Sequence, residues 1–103
     1  MNMVKKNWSD ISTTTISEET IRALHSPQEN FKIYANTYEA GKRFPTNAGH
    51  AFVLYILAGS CKATINGSEI TLSASEFMPM EKGSYTFDIV GSEELKLVKV
   101  FSL

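Results

Sequence analysis

Two histidines, His25 and His50, and a single cysteine, Cys61, are the residues of this chain whose types most often serve in metal binding or nucleophilic chemistry. A tight site for a first-row metal needs about three imidazole or carboxylate donors that converge on one point. His50 stands alone at the entry to a predicted strand, and His25 belongs to a separate N-terminal region. We therefore predict no bound metal and no cofactor. Cys61 lies within a predicted strand, where we expect it to be a small buried hydrophobe.

The composition argues against several classes of partner. Hydrophobic residues make up 43% and charged residues 20% of the 103 residues, as in one ordinary globular domain. The net charge is −1 and the basic residues are scattered, so we expect neither a nucleic-acid surface nor a membrane-binding patch. The longest apolar run, residues 51–58, is too short to span a bilayer. One cysteine cannot form an intrachain disulfide and no secretion signal is visible, which favours a cytoplasmic protein.

The first 30 residues hold the helical pattern of the sequence. Ser17 is a candidate N-cap, two glutamates follow it, and Ile21 and Leu24 are three residues apart. Pro27 is expected to end the helix. We predict that residues 1–30 form an arm with one short helix, packed on the domain that residues 31–103 form.

The stretch "ATINGSEITL", residues 63–72, indicates a β-hairpin. Asn66-Gly67 stands between two alternating apolar segments, and both residues tolerate the positive φ of a type I′ turn. Upstream, "HAFVLYILAG" is apolar at both parities, which indicates a strand covered on both faces. Six or seven short strands with turn signals every eight to twelve residues predict a sandwich or barrel.

The last segment, "ELKLVKVFSL", changes its apolar phase. Leu95 and Leu97 share one parity, whereas Val98 and Val100 share the other. A phase shift within a strand predicts a β-bulge.

Turn signals occur in a fixed order along the β region: Gly41, Gly59, Asn66-Gly67, Ser75-Glu76 and Gly83. With the strands between them, from about residue 38 to residue 100, they resemble the cupin family. The resemblance implies an all-β fold, a small jelly-roll barrel, here with a short N-terminal helix or extended arm.

The residues at the family's metal positions differ from its usual ligands. Counted from the turns, the two histidine positions of the first motif fall on Asn47 and Gly49, and its glutamate position falls on Phe52. The histidine of the second motif falls on Thr86, or on Tyr85 after a shift of one. The resemblance therefore implies a metal-free cupin.

Cupin barrels that lose their metal usually keep a cavity, so the resemblance implies a small-molecule site. Its expected apolar lining is Phe52, Leu54, Ile56, Met78 and Met80, with Ala63 and Ile65 as neighbours. Its expected polar groups near the mouth are Tyr34, Tyr38, Arg43, Asn47, His50 and Tyr85. Methionines also fill irregular cores, and for Met78 and Met80 we favour core packing.

Two further points stay open from the sequence. The motif count directs Thr86 and Asp88 inward, whereas the apolar alternation directs Tyr85, Phe87 and Ile89 inward. We favour the alternation, because a buried unpaired Asp88 would be costly.

The second point is the outer face of the "VLYIL" strand, which Val53, Tyr55 and Leu57 make apolar. The N-terminal segment could cover this face with Trp8, Ile11 and Ile16. A second copy of the chain could cover it instead, and the resemblance to cupins supports such a homodimer.

Three functions follow as hypotheses. The first is a non-catalytic sensor or carrier that binds a small organic molecule in the barrel. The second is a protein–protein interaction module with a filled barrel. The third is a metal-independent isomerase or lyase acting on a small sugar or acid, which requires Arg43, His50, Glu76 and Tyr85 to share one cleft. We favour a protein that is not an enzyme.

Overall fold

The computed structural model describes residues 4–25, 31–65 and 67–102, which contain nine β-strands, one α-helix and a short 3-10 turn at Trp8–Asp10. The helix is α1 (Glu18–His25). The strands are β1 (Lys6–Asn7), β2 (Phe31–Tyr38), β3 (Arg43–Ala48), β4 (Phe52–Ala58), β5 (Ser60–Ile65), β6 (Ser68–Ser73), β7 (Glu76–Met80), β8 (Gly83–Val90) and β9 (Leu95–Ser102).

The strands form two antiparallel sheets. The five-stranded sheet has the order β1-β7-β4-β9-β2, and the four-stranded sheet has the order β3-β8-β5-β6. The all-β prediction is confirmed. In the described parts of the chain, α1 is much shorter than a bilayer-spanning helix would have to be.

The predicted hairpin joins β5 to β6. Ile65 pairs with Ser68, and Gly67 has a φ of +82°. Asn66 lies outside the described residues. Cys61 and Ala63 of β5 are fully buried, and burial raises the pKa of the Cys61 thiol to about 12. Cys61 is therefore the small buried hydrophobe that the sequence predicts.

The core lies between the two sheets, and the alternation of β8 decides which side chains enter it. Tyr85, Phe87 and Ile89 are buried there. Asp88 has the opposite parity and pairs with Arg43 at 2.6 Å on the outer face. The apolar alternation was therefore the correct guide, because it buries aromatic surface and leaves the carboxylate hydrated.

The predicted bulge in β9 was wrong. Leu97 and Lys99 face the four-stranded sheet, whereas Val98 and Val100 face the opposite side and pack under the N-terminal arm. The alternation is therefore unbroken, and β9 looked out of phase because apolar residues cover both of its faces. A register shift does occur opposite β9, in β4 just after Ile56.

Reciprocal capping bonds define the start of α1. The Thr20 N–H donates to Ser17 Oγ at 3.1 Å, and the Ser17 N–H donates to Thr20 Oγ1 at 2.8 Å. Ser17 is thus the predicted N-cap. Ile21 is fully buried, whereas Leu24 is 45% exposed. The predicted stop signal at Pro27 lies outside the described residues.

The N-terminal arm covers the outer face of β4. Trp8 meets Tyr55 edge to face at 5.9 Å, and its indole N–H donates to the Thr14 carbonyl at 2.9 Å. Ile16 packs in the same cluster, whereas Ile11 is 46% exposed. Tyr55 is only 2% exposed as a result. This face is therefore covered within the chain.

Candidate functional site

An open cleft of about 540 Å³ lies between β2, an edge strand of the five-stranded sheet, and β3, an edge strand of the four-stranded sheet. We call it the edge cleft. Its lining mixes basic, amide, hydroxyl and aromatic groups: Lys32, Tyr34, Asn36, Pro45, Thr46, Asn47, Gly49, His50, Lys99 and Phe101.

The pairing of β2 with β9 builds one wall of the edge cleft. Tyr34 lies opposite Lys99, and Lys32 lies opposite Phe101. Paired residues project from the same face of a sheet. Lys99 shares its parity with the core residue Leu97, so this is the inner face. The inner face of the sheet thus changes from apolar to polar as it reaches the β2 edge.

Lys99 places a cation beside the core residue Phe44. Its Nζ donates to Thr46 Oγ1 at 3.1 Å and lies 5.6 Å from the centre of the Phe44 ring. Burial lowers the pKa of Lys99, because the charged form is less well hydrated there. Among the described residues, no carboxylate forms an ion pair with Lys99.

An aromatic wall connects the edge cleft to the core. Tyr34 meets Phe101 edge to face at 5.7 Å, and Phe101 stacks on Phe52 at 4.9 Å. Tyr34 is 48% exposed, so its ring is available to a molecule in the cleft. Phe52 is buried and pairs with Phe101 across the β4–β9 ladder, so the core supports Phe101 from its side. The wall is therefore a stepped aromatic surface, in which the plane of the Tyr34 ring stands at 83° to that of Phe101.

Three of the predicted ligand-binding residues line the edge cleft, namely Tyr34, Asn47 and His50. Tyr38 lies beside the Phe44 ring, stacked at 3.9 Å with the two planes 2° apart. Tyr34, Asn47 and His50 therefore stay candidates for ligand contact, whereas Tyr38 packs against the core and is not among the described residues that line the edge cleft.

The structure places the other predicted ligand-binding residues elsewhere. The expected apolar lining is buried among other side chains in the core: Phe52, Leu54, Ile56, Met78 and Met80. Tyr85 is also buried, and its hydroxyl donates to the Glu81 carbonyl at 2.6 Å. Arg43 is 71% exposed on the outer face of the four-stranded sheet. The expected apolar residues and Tyr85 border no open cavity, because side chains of the described strands fill the barrel interior around them. Arg43 lies outside the barrel, because its parity in β3 directs it to the outer face.

The four side chains expected to perform acid–base chemistry do not converge. Glu76 pairs with Lys5 at 3.1 Å and accepts the Ser73 N–H at 2.7 Å, which leaves His50 alone in the edge cleft. Burial, followed by the nearby Glu81 charge, raises the pKa of Tyr85. Together with the outward Arg43, this separation removes the shared site that the isomerase or lyase hypothesis needs.

The residues at the family's metal positions do not fit a metal. Asn47 Oδ1 already accepts a hydrogen bond from Ser84 Oγ at 2.8 Å, and Phe52 is buried in the core. Thr86 has the outward parity of β8, and Gly49 offers no side chain. Within residues 4–25, 31–65 and 67–102, no three His, Cys, Asp or Glu side chains come together. We therefore derive no chemistry through a metal.

Sequence reasoning missed five residues of the edge cleft that carry its chemistry: Lys32, Asn36, Thr46, Lys99 and Phe101. The sequence of β9 does contain a signal for Lys99. An unbroken alternation places Leu97 and Lys99 on the same face of the strand and therefore directs this lysine inward. The predicted phase shift places them on different faces, so Lys99 was not recognised as a lining residue.

The fold and its open edge define this chain as a cupin-type jelly roll, so the resemblance read from the sequence is confirmed at the level of the fold. No protein-family model matches the sequence, and no curated protein matches it either.

Solved structures supply the likeness. The cupin-2 domain of an XRE family transcriptional regulator from Enterobacter cloacae superposes with a TM-score of 0.64 at 14% identity, covering 98% of this chain and 96% of that one. The cupin domain of Cnp3 from Schizosaccharomyces pombe superposes with a TM-score of 0.63 at 18% identity. The match covers 73% of this chain and 57% of that one. The EutQ protein of Clostridium difficile superposes with a TM-score of 0.62 at 15% identity. The match covers 76% of this chain and 60% of that one. The chain thus spans under two thirds of the last two proteins.

Proposed function

We propose that this protein binds a small organic molecule in the edge cleft and serves as a sensor or carrier without converting its ligand. One observation carries the proposal: an open cleft of about 540 Å³ joins a supported aromatic wall to several polar groups. Small-molecule sites usually have this form, with a volume of a few hundred Å³. A cleft of similar volume, about 550 Å³, lies beside Trp8 and Ser75, but its described lining carries no charged side chain. We favour the edge cleft because it combines an exposed aromatic ring with charged groups.

The divergence of Arg43, His50, Glu76 and Tyr85 supports a non-catalytic role. General acid–base catalysis needs a donor and an acceptor held within reach of one substrate. The sensor role also agrees with the likeness to the domain of the Enterobacter cloacae transcriptional regulator. A binding domain attached to or working beside a regulator needs recognition of a ligand and no turnover.

Titration with small fragments tests the binding proposal. The ¹⁵N-labelled protein is exposed to a mixed set of neutral, cationic and anionic fragments, and amide shifts are mapped. We expect shifts that cluster on β2, β3 and the C-terminal half of β9. Tyr34→Ala should weaken them, because it removes the exposed ring of the wall. Thr37→Ala, an exposed change at the opposite parity of the same strand, is the matched control and should leave them unchanged.

The filled core favours a second candidate, a protein–protein interaction module whose function lies on an outer surface. Its separate prediction is that no fragment shifts the residues of the edge cleft at millimolar concentration. That result would overturn the binding proposal and leave the interaction module.

The homodimer and the cytoplasmic location stay proposals of their own. The arm covers the outer face of β4, so a dimer would use another surface. Sedimentation velocity over a range of protein concentrations tests the dimer: a single species with the mass of one chain, about 11.4 kDa, would contradict it. Fractionation of the source cells tests the location.

A further inference from the structure

Lys99 is a charged residue on the core-facing side of β9, where an apolar residue is expected. Leu97 and Phe101, its neighbours at the same parity, pack in or against the core. A cation that is partly removed from water without an anion costs free energy, even when its aliphatic stem gains contacts. The Lys99 ammonium stands 5.6 Å from the Phe44 ring centre, a favourable but weak substitute for an anion.

The hydrogen bonding of Lys99 is also incomplete. An ammonium group has three N–H donors, and Thr46 Oγ1 accepts one of them. The ion pairs of the described residues engage other cations: Lys5, Arg22, Arg43 and Lys62. Lys99 can therefore donate to an acceptor that enters the edge cleft.

The second lysine of the lining has the same sign of charge. Lys32 borders the edge cleft together with Lys99, and none of the described lining residues is an aspartate or glutamate. A concave site lined by one sign of charge raises the local concentration of ions of the other sign. The neutral part of a ligand would meet the Tyr34 and Phe101 rings.

We propose that the ligand of the edge cleft is a small organic anion, whose carboxylate or phosphate accepts hydrogen bonds from Lys99 and whose apolar body lies against Tyr34 and Phe101. This inference rests on the proposed binding function and narrows it to one class of ligand. The Lys99 ammonium and the aromatic wall are adjacent, since Tyr34 pairs with Lys99 across the β2–β9 ladder. One small molecule can therefore contact both.

Three phenyl probes test the charge preference by NMR titration of the unmodified protein. Benzoate and phenyl phosphate carry the two anionic groups, and benzamide is the neutral isostere of benzoate. We expect at least one anion to bind about tenfold or more tightly than benzamide, since a hydrogen bond to a charged group typically contributes that factor. The anion that binds more tightly identifies the headgroup.

Matched lysine variants locate the interaction. Lys99→Met keeps an apolar stem and removes the charge, and we expect it to abolish the preference for the anions over benzamide. Lys96→Met removes an exposed lysine at the opposite parity of the same strand and should keep the preference. The comparison of probes on the unmodified protein needs no variant, so the test does not depend on the folding of Lys99→Met.

The possible failures are distinguishable. If benzamide binds in the edge cleft as tightly as both anions, the anion inference is overturned and the binding function stands. If Lys99→Met and Lys96→Met behave alike, Lys99 is not the recognising group and the inference is again overturned. If no probe and no fragment shifts the amide resonances of the residues that line the edge cleft, the binding function is contradicted, and this inference is contradicted with it.

Discussion

Lys99 and Thr46 are 53 residues apart in the sequence, yet their side chains are joined by a 3.1 Å hydrogen bond at the floor of the edge cleft. The bond connects β9 of the five-stranded sheet to β3 of the four-stranded sheet. It holds a cation at a place where the rest of the inner face of β9 is apolar. Lys99 therefore affects both the free energy of unfolding, through the burial of its charge, and the charge of the edge cleft.

The stability should depend on pH through Lys99. Burial lowers the pKa of this lysine from its ordinary value of 10.5, so between the lowered pKa and 10.5 the unfolded chain binds more protons than the folded one. The free energy of unfolding therefore rises with pH across that window. Below the window Lys99 is charged in the folded protein, and the full cost of burying that charge lowers the free energy of unfolding. As the pH rises through this window, we expect the free energy of unfolding of wild type to increase relative to that of Lys99→Met. The increase should be less than about 1 kcal/mol, because solvent still screens a half-buried charge.

Urea unfolding of wild type, Lys99→Met and Lys96→Met from neutral pH to about 10 measures this difference. The profile of Lys96→Met should run parallel to that of wild type, because this variant keeps Lys99 and its contacts. A constant difference between wild type and Lys99→Met across the range would contradict the prediction.

The faces of individual strands could be predicted from the sequence because alternation is a local property. Phe87 and Asp88 were assigned correctly from their own segment, and so was Gly67 in its hairpin. The edge cleft could not be predicted in the same way. It arises where Tyr34 meets Lys99 across two strands distant in sequence, and such a pairing is set by the whole sheet.

The filled core shows a second limit of sequence reasoning. Met78 and Met80 are candidate ligand contacts by their parity and their adaptability, although core packing is the favoured alternative, and both are fully buried. Volume decides between the two outcomes, and it depends on how the opposing sheet fits. Their parity was readable from the sequence, but the presence of space beside them was not.

Trp8 should control the docking of the N-terminal arm. It is 4% exposed and contacts Tyr55, so Trp8→Ala leaves a large gap over the outer face of β4. We expect a loss of about 3–5 kcal/mol in the free energy of unfolding, as for other buried tryptophans cut to alanine. Urea unfolding followed by circular dichroism measures it.

Ile11→Ala is the control for the arm, because Ile11 belongs to the same segment but is 46% exposed. Its effect should stay within about 0.5 kcal/mol. Equal effects of the two substitutions would show that the arm is not anchored through the indole.

Cys61 should be unreactive in the folded protein. The thiol is fully buried in β5, and burial raises its pKa to about 12, so the reactive thiolate is scarce at mildly alkaline pH. We expect its reaction with a disulfide reagent such as DTNB to be on the order of a thousandfold slower than that of an exposed cysteine. The same protein in denaturing guanidinium is the control and should react at once. Rapid reaction of the native protein would mean that β5 opens readily.

Gly59 should tolerate substitution far less than Gly67, although the two have nearly the same backbone conformation. Their φ angles are +80° and +82°, so a Cβ costs about 1–2 kcal/mol of backbone strain at either position. At Gly67 no described residue other than its chain neighbours lies within 4 Å of the added atom. At Gly59 the atom would overlap the backbone carbonyl of Glu94 and lie 3.1 Å from Leu95 Cα.

The Glu94 carbonyl belongs to the segment that begins β9, and backbone cannot rotate away as the end of a long side chain can. We therefore expect Gly59→Ala to lower the free energy of unfolding by more than about 3 kcal/mol and Gly67→Ala by about 1 kcal/mol. Urea unfolding of both variants beside wild type measures the contrast. Losses of equal size would show that the segment before β9 moves aside at little cost, and that the close approach at Gly59 does not fix the start of the strand carrying Lys99.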